Sequence, residues 1–208
     1  MTSNERIWSL LKAVDYIHEQ PVPGALVECG VWRGGSVMAM AFRLQQQGYT
    51  NRDLWLYDTF SGMTEPSEVD IDQTTGVLAS RLLETTPQSQ DDGIWCIADR
   101  TDVRRNLEAT GYPLSRVHLV EGDVVDTLNH SVPEEIAILR LDTDWYESTK
   151  ACLQHLYPRL LLGGVCILDD YGHWQGARRA VDEYFDAQAF RPFMHPIDFS
   201  GRVFIKTR

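Results

Sequence analysis

Short apolar runs of strand length alternate with helix-period segments along most of the chain, and this alternation limits the possible folds more than any other feature. The strand-like runs are ALVECG (25–30), LWLYDTF (54–60), RVHLVEG (116–122), IAILRLD (136–142) and GGVCILDD (163–170). The helix-period segments lie at 4–19, 36–47, 102–110, 148–156 and 176–185. This order predicts an α/β fold with a doubly wound, mostly parallel, Rossmann-like sheet. The final run, FSGRVFIKTR (199–208), predicts an edge strand that pairs antiparallel.

The length of the chain indicates one domain. With 208 residues, 43% of them hydrophobic, the chain can bury one sizeable core, and we expect residues 1–208 to form a single domain. A polar stretch interrupts the alternation, and we expect a lid or acceptor segment at about 61–98, with a helix near 77–83. The four cysteines lack C-x-x-C spacing, so we expect ordinary buried thiols.

The charge of the chain excludes some classes of partner. A formal net charge of −11 argues against nucleic acid and anionic membranes, because both require a basic protein surface. No apolar run approaches the roughly 18 residues of a membrane span, and the amino end lacks the pattern of a secretory signal. We therefore expect a cytoplasmic protein that acts on a small molecule.

Three aspartates end two of the strand-like runs. Asp142 closes IAILRLD, while Asp169 and Asp170 close GGVCILDD, and no basic residue is adjacent to them in sequence. Ligands of open α/β sheets bind outside the carboxyl ends of the strands, so adjacent parallel strands would bring these acids together at such a site. Clustered carboxylates repel one another unless a cation shares the site. The pattern predicts a site for a hard divalent ion.

A glycine-rich turn follows the first strand-like run. It reads VECGVWRGGS, with Gly30, Gly34 and Gly35 between strand and helix. Such glycines let the backbone approach a ligand, and the helix amino end offers free N–H groups to an anion. The G-x-x-x-G-G spacing differs from the dinucleotide pattern G-x-G-x-x-G. Asp58, at the end of the second run, is placed either to accept ribose hydroxyls or to cap the turn that follows it.

Four motifs in order resemble the macrocin O-methyltransferase family, whose members use S-adenosylmethionine and a metal to methylate sugar hydroxyls of natural products. The motifs are ECGVWRGGS, LYDTFSGM, LDTDWYEST and LDDYGHWQGAR, and they span residues 28–178. The resemblance implies a cofactor pocket, a magnesium site and a general base. The cofactor residues would be Glu28, Gly30, Gly34 and Ser36 at the methionine end and Asp58 on the ribose; the metal ligands would be Asp142, Asp169 and Asp170; the base would be Asp144.

The chain departs from the family pattern in two places. After the third strand it has Asp123 and Val124 where a bulky Trp-Phe pair is expected, and we assign Asp123 to the adenine amino group. The chain also starts close to the catalytic core. We therefore expect part of the acceptor cover to be missing or to come from a neighbouring subunit, which leaves a homo-oligomer open.

The residues themselves account for the proposed chemistry. A sugar hydroxyl is too weak an acid to react at neutral pH, so a divalent cation must lower its pKa while a carboxylate removes its proton. Asp144 lies two residues after Asp142, where the chain leaves the strand, and that position suits a base. An all-carboxylate ligand set favours magnesium over zinc or copper.

Four further side chains are candidates for acceptor contacts. Trp145 and Tyr146 follow the proposed base, and either could form an aromatic wall or pack in the core. His173 and Trp174 follow the metal aspartates, in a loop of the kind that meets the substrate. We expect contacts from His173 and Trp174 to the acceptor.

The sequence leaves three functions open. The first is a magnesium-dependent O-methyltransferase that acts on a sugar or polyol hydroxyl. The second is a nicotinamide-dependent oxidoreductase, which the glycine spacing and the aspartates both disfavour. The third is a non-catalytic module that binds S-adenosylmethionine, which the presence of Asp144 disfavours.

Overall fold

A computed structural model describes residues 2–88 and 93–208 of the chain. In this part of the chain seven strands form one sheet: β1 Ala25–Cys29, β2 Leu54–Asp58, β3 Val117–Glu121, β4 Ile136–Leu141, β5 Leu160–Leu168, β6 His195–Pro196 and β7 Arg202–Ile205. The helices are α1 Asn4–Glu19, α2 Gly35–Gln46, α3 Ala79–Thr85, α4 Arg100–Glu108, α5 Val124–Thr127, α6 Tyr146–His155 and α7 Gln175–Ala187. Short 3-10 turns lie at Leu114–Arg116 and Tyr157–Arg159.

The sheet has the spatial order β3–β2–β1–β4–β5–β7–β6. Strands β1 to β5 pair in parallel, and β7 pairs antiparallel with β5. The predicted doubly wound sheet with an antiparallel edge is therefore confirmed. Because the chain winds outward from β1 to β2 on one side and continues from β4 on the other, a crevice opens between the carboxyl ends of β1 and β4.

Two details of the edge differ from the sequence prediction. The predicted strand at 199–208 is shorter, Arg202–Ile205, and it is not outermost, because β6 pairs with its free side. Strand β6 has only two residues, one of them Pro196, which an edge strand tolerates since its missing N–H can face away from the ladder. Helix α5 was also not predicted, because its four residues are too few to show a helical period.

Side chains alternate between the two faces of the sheet, and each face is covered by its own helices. On one face Leu26 and Ile167 pack with residues of α1, α2 and α4. On the other face Val27 and Cys166 pack with residues of α5, α6 and α7. Burial on both faces explains why the parallel strands read as nearly continuous apolar runs in the sequence.

Among the described residues, no helix combines the length and the apolar character that crossing a membrane requires. All four cysteines are free thiols; Cys29, Cys152 and Cys166 are buried, and Cys96 is partly exposed.

Candidate active site

Three carboxylates from two neighbouring strands meet at the carboxyl edge of the sheet. Asp142 directly follows β4, Asp169 and Asp170 directly follow β5, and the two strands pair in parallel with Leu141 beside Leu168. One carboxylate oxygen from each aspartate lies within 4.8 Å of the others. Asp169 and Asp170 are only 3% and 9% exposed, so water screens their charges poorly. The structure thus brings together the three predicted metal ligands.

Two arginines lie against this cluster, and the sequence analysis assigned neither of them. Arg140 is buried and donates to Asp142 at 2.7 Å and to Asp169 at 2.6 Å, and it also contacts Glu28. Arg6, on α1, donates to the second carboxylate oxygen of Asp169. No basic residue is adjacent to the three aspartates in sequence, but the fold brings these two arginines into contact with Asp142 and Asp169. Arg140 reaches the cluster because it lies beside Glu28 in the parallel register of β1 and β4.

The two arginines leave the cluster short of positive charge. Burial raises the pKa of Glu28 to about 8 and that of Asp169 to about 6, and Arg140 opposes both shifts. Burial is also the largest cause that raises the pKa of Asp170 well above its ordinary value, and the neighbouring carboxylates add to it. A further cation at this point would stabilise the ionised forms of these acids.

The cluster fits a hard divalent cation. All of its ligand atoms would be carboxylate oxygens, which magnesium prefers. In the described part of the chain no arginine or lysine contacts Asp170, and the arginine contact to Asp142 uses only one of its two oxygens. Asp142 and Asp170 therefore keep oxygens for an ion, whereas both oxygens of Asp169 already accept from an arginine. The residues that would hold the ion are Asp142, Asp170 and, through an oxygen shared with an arginine, Asp169.

Arg140 gives a first testable prediction. Arg140→Met should lower the free energy of unfolding by about 3–5 kcal/mol, because it leaves the buried Glu28 without its partner and removes one arginine contact each from Asp142 and Asp169. Urea unfolding in excess chelator would measure this effect without a contribution from bound metal. Arg104→Met, which removes an exposed pair with Glu108, is the matched control and should cost less than about 1 kcal/mol. Equal losses in the two variants would show that the buried network contributes no more than a surface pair.

Asp144 lies beside the cluster but does not belong to it. Its φ of 62° is left-handed, so the chain turns sharply after β4 and directs this side chain away from the strand. Its backbone N–H donates to Asp170 Oδ2 at 3.2 Å, and its Oδ1 accepts from the indole of Trp174 at 2.7 Å. Burial, followed by the charge of Asp142, raises the pKa of Asp144 to about 7. A carboxylate with such a pKa is suited to accepting a proton near neutral pH.

The glycine-rich turn forms one wall of the site. Gly30 has φ 78°, and a Cβ there would fall 1.8 Å from the carbonyl oxygen of Asp142, so only glycine allows β1 and β4 to approach so closely. Gly34, with φ 82°, occupies the N-cap of α2, and Ser36 is buried in the first turn of that helix. The turn borders a cavity of about 740 Å³ that Glu28 and the clustered aspartates also line. This volume is in the range of small-molecule and cofactor sites.

Asp58 organises the same turn. One carboxylate oxygen accepts the N–H groups of Val31 and Trp32 at 2.7 and 2.9 Å, and the other accepts that of Phe60 at 2.8 Å. The capping alternative is therefore present in the structure. Asp58 also lines the large cavity, and its role on the ribose stays a prediction.

Asp123 caps a helix. Its Oδ1 accepts the N–H of Val125 at 2.9 Å and so begins α5. It borders a narrow cleft of about 60 Å³ together with Gly122 and Asp58. The structure thus gives Asp123 a local hydrogen bond, and its contact with adenine stays a prediction.

The four candidate acceptor residues occupy different environments. Trp145 is buried and its indole donates to the carbonyl of Thr64 at 3.0 Å, which is the core-packing alternative. The hydroxyl of Tyr146 donates to Glu183 at 2.7 Å on the outer side of α6 and α7. His173 lines both the large cavity and a second one of about 400 Å³, which Trp174 and Asp144 also line. Of the four, His173 and Trp174 border the space next to Asp144.

The predicted lid packs against the segments that follow β4 and β5. Residues 61–88 and 93–98 are described and include α3, whereas 89–92 lie outside the described residues. Asp70 is fully buried and accepts the first N–H of α6, that of Tyr146, at 2.7 Å. Gly176 lies so close that a Cβ there would fall 1.8 Å from Asp70. Asp72 forms a bridge to Trp174, and its carboxylate lies 3.5 Å from His173 Nε2.

The comparisons with known proteins agree with this geometry. The family model described as Macrocin-O-methyltransferase (TylF) matches residues 1–206. The 8-demethyl-8-(2,3-dimethoxy-alpha-L-rhamnosyl)-tetracenomycin-C 4'-O-methyltransferase of Streptomyces olivaceus is 34% identical, over 97% of this chain and 73% of that protein. The demethyldecarbamoylnovobiocin O-methyltransferase of Streptomyces niveus is 30% identical, over 100% and 76%. The solved structure of the O-methyltransferase NovP superposes with a TM-score of 0.84 at 30% identity, over 98% of this chain and 80% of that one.

Proposed function

Since the chain belongs to the macrocin O-methyltransferase family, and is thus an O-methyltransferase of natural-product biosynthesis, we propose that it methylates a sugar hydroxyl of a small molecule in a magnesium-dependent reaction. The fold implies S-adenosylmethionine as the methyl donor. This membership decides against the nicotinamide-dependent oxidoreductase and the non-catalytic module. The observation that carries the proposal is a separate buried carboxylate, Asp144, beside an oxygen cluster suited to magnesium.

The large cavity is the proposed cofactor site. When bound, S-adenosylmethionine supplies an electrophilic methyl group. Gly30 lines this cavity, and the amino end of α2, which begins after Gly34, would offer N–H groups to the carboxylate of the cofactor. Glu28 lines the same cavity, and its Oε2 is buried without a hydrogen-bond partner in the structure. We propose that this free oxygen contacts the methionine end of the cofactor.

The aspartates at the strand ends have two proposed roles, which are to bind the metal and to accept the proton. A magnesium ion held by Asp142, Asp169 and Asp170 would lower the pKa of the acceptor hydroxyl. Asp144 would then accept the hydroxyl proton. The protein orients the two reactants, and their alignment supplies much of the rate.

The second cavity is the proposed acceptor site. It has a volume of about 400 Å³, and lid residues such as Leu82 and Ile94 line it together with His173 and Asp144. Burial lowers the pKa of His173, so its imidazole is neutral at neutral pH. It can then donate a hydrogen bond to a sugar hydroxyl or accept one from it. The names of the relatives, one of them a mycinamicin III 3''-O-methyltransferase of Micromonospora griseorubida, support a glycoside as acceptor.

A radiolabelled methyl donor tests this function. The protein would be incubated with labelled S-adenosylmethionine, magnesium and three acceptors: mycinamicin III, demethyldecarbamoylnovobiocin and the dimethoxyrhamnosyl tetracenomycin. We expect label to enter at least one of them at a sugar hydroxyl, and mass spectrometry would determine the position of the new methyl group. Transfer to a hydroxyl of an aglycone alone would contradict the proposed acceptor group.

Asp58 gives a second testable prediction. If it accepts the ribose hydroxyls, Asp58→Ala should weaken S-adenosylmethionine binding by about 1.5–3 kcal/mol, the usual value of a hydrogen bond to a charged group. Calorimetry would measure the binding constant. Asp58→Ala also removes the acceptor of three backbone N–H groups, so thermal unfolding without cofactor must be measured in parallel. A folded variant with an unchanged binding constant would show that Asp58 acts only on the turn.

A further inference from the structure

The indole of Trp174 contacts the carboxylate that is proposed to accept the proton. Its Nε1 donates to Asp144 Oδ1 at 2.7 Å, and Trp174 is only 3% exposed. In the part of the chain that the structure describes, no side chain or backbone donor contacts Oδ2 of Asp144. One carboxylate oxygen is therefore held by the protein, and the other is available to a ligand.

Trp174 is itself held in place from three directions. Its backbone pairs with Asp72 of the lid, and its N–H donates to the carbonyl oxygen of Asp170 at 3.0 Å. Its ring packs edge-on against that of Trp145, with the ring centres 4.9 Å apart. These contacts fix the direction in which the indole N–H points. The lid and the loop after β5 thus both determine the orientation of Asp144.

We propose that Trp174 is a positioning residue that fixes the Asp144 carboxylate through Oδ1, so that Oδ2 receives the proton of the acceptor hydroxyl. This inference rests on the proposed function. In that step the hydroxyl oxygen forms a bond to the methyl carbon while the methyl–sulfur bond breaks and leaves its electron pair on sulfur. The hydroxyl proton passes to Oδ2. Trp174 then acts through Asp144 rather than as the acceptor contact that its sequence position suggested.

A measurement without an acceptor tests the contact itself. In protein labelled with ¹⁵N in its indoles, Trp174→Phe and Trp145→Phe identify the two N–H signals. Asp144→Ala should shift the Trp174 proton signal upfield, because the carboxylate hydrogen bond is lost. The Trp145 signal should stay, because its indole donates to the Thr64 carbonyl. Asp144→Asn is a second variant, in which the Trp174 proton signal should shift upfield by a smaller amount. A Trp174 signal that neither variant moves would overturn the proposal.

Steady-state kinetics, with the glycoside that accepts the labelled methyl group as substrate, then test the consequence for catalysis. Trp174→Phe keeps an aromatic ring but loses the N–H, and it should lower kcat by about 10- to 100-fold, as loss of a partner that orients a functional group does. The KM for the acceptor should hardly change. In the Asp144→Asn background the same substitution should change kcat by about twofold or less, because the two residues act as one unit. Trp55→Phe, which removes an indole N–H on β2 outside both cavities, is the matched control, with additive effects expected.

The outcomes separate this inference from the proposed function. A raised KM with unchanged kcat would make Trp174 an acceptor contact and overturn the positioning role. Equal kcat losses for Trp174→Phe in the wild-type and Asp144→Asn backgrounds would reduce it to a packing residue. If the wild-type protein methylates none of the glycosides, the proposed acceptor class fails, and the indole signals still decide whether Trp174 holds Asp144.

Discussion

Asp144→Asn is expected to lower turnover by about 100- to 10,000-fold, the usual effect of removing a general base. The substitution keeps an oxygen that can accept from the Trp174 indole and replaces the free carboxylate oxygen with an amide that cannot accept the proton. Single-turnover methyl transfer, with S-adenosylmethionine and magnesium at saturation, would measure the chemical step.

The matching controls are the binding constants for magnesium and for S-adenosylmethionine, which should remain close to those of the wild-type protein. Full turnover in Asp144→Asn would remove this residue from the chemistry. His173 would then be the next candidate for the base, because it lines the same cavity as Asp144 and burial lowers its pKa.

Removal of the divalent ion should have the second large effect. We expect excess chelator to lower turnover at least about 100-fold and added magnesium to restore it, because a bound metal contributes several kcal/mol of transition-state stabilisation. Asp170→Asn should reproduce the loss at low magnesium, since in the described chain Asp170 lacks an arginine partner that could hold its charge. Turnover measured across a magnesium titration checks both statements.

Asp126→Asn is the control for that series. Asp126 is an exposed carboxylate on α5, so its removal changes the net charge equally without touching the cluster. The turnover of Asp126→Asn should depend on magnesium in the same way as that of the wild-type protein. If full activity persists in excess chelator, Arg6 and Arg140 suffice to balance the aspartates and the cluster has no metal role.

The periodicity of the sequence predicts most of the fold because both faces of the sheet are buried. Strand β4 is buried along its whole length and is apolar except for Arg140, and the amphipathic helices between the strands show a clear period. The convergence of Asp142 with Asp169 and Asp170 follows from parallel pairing alone, since strand ends meet at one edge. The short elements α5 and β6 were missed, because two to four residues carry no measurable period.

The partners of these aspartates could not be predicted with the same reasoning. Arg6 reaches Asp169 from a helix 163 residues earlier in the chain, and no local pattern encodes that contact. Arg140 could have been recognised, because a charged residue inside a fully buried strand requires a partner, and Glu28 lies in the adjacent strand. Asp70 was hidden in a polar segment whose docking against α6 depends on tertiary packing.

Calorimetric titration of magnesium, in the presence of S-adenosylmethionine, tests the central division of roles among the aspartates most directly. We predict one magnesium ion per chain with nearly equal affinity in the wild-type protein and in Asp144→Asn, and much weaker binding in Asp142→Asn. The same samples would be assayed for methyl transfer at saturating magnesium. Loss of magnesium binding in Asp144→Asn together with an undiminished rate would contradict the account, because Asp144 would then be a metal ligand and not the base.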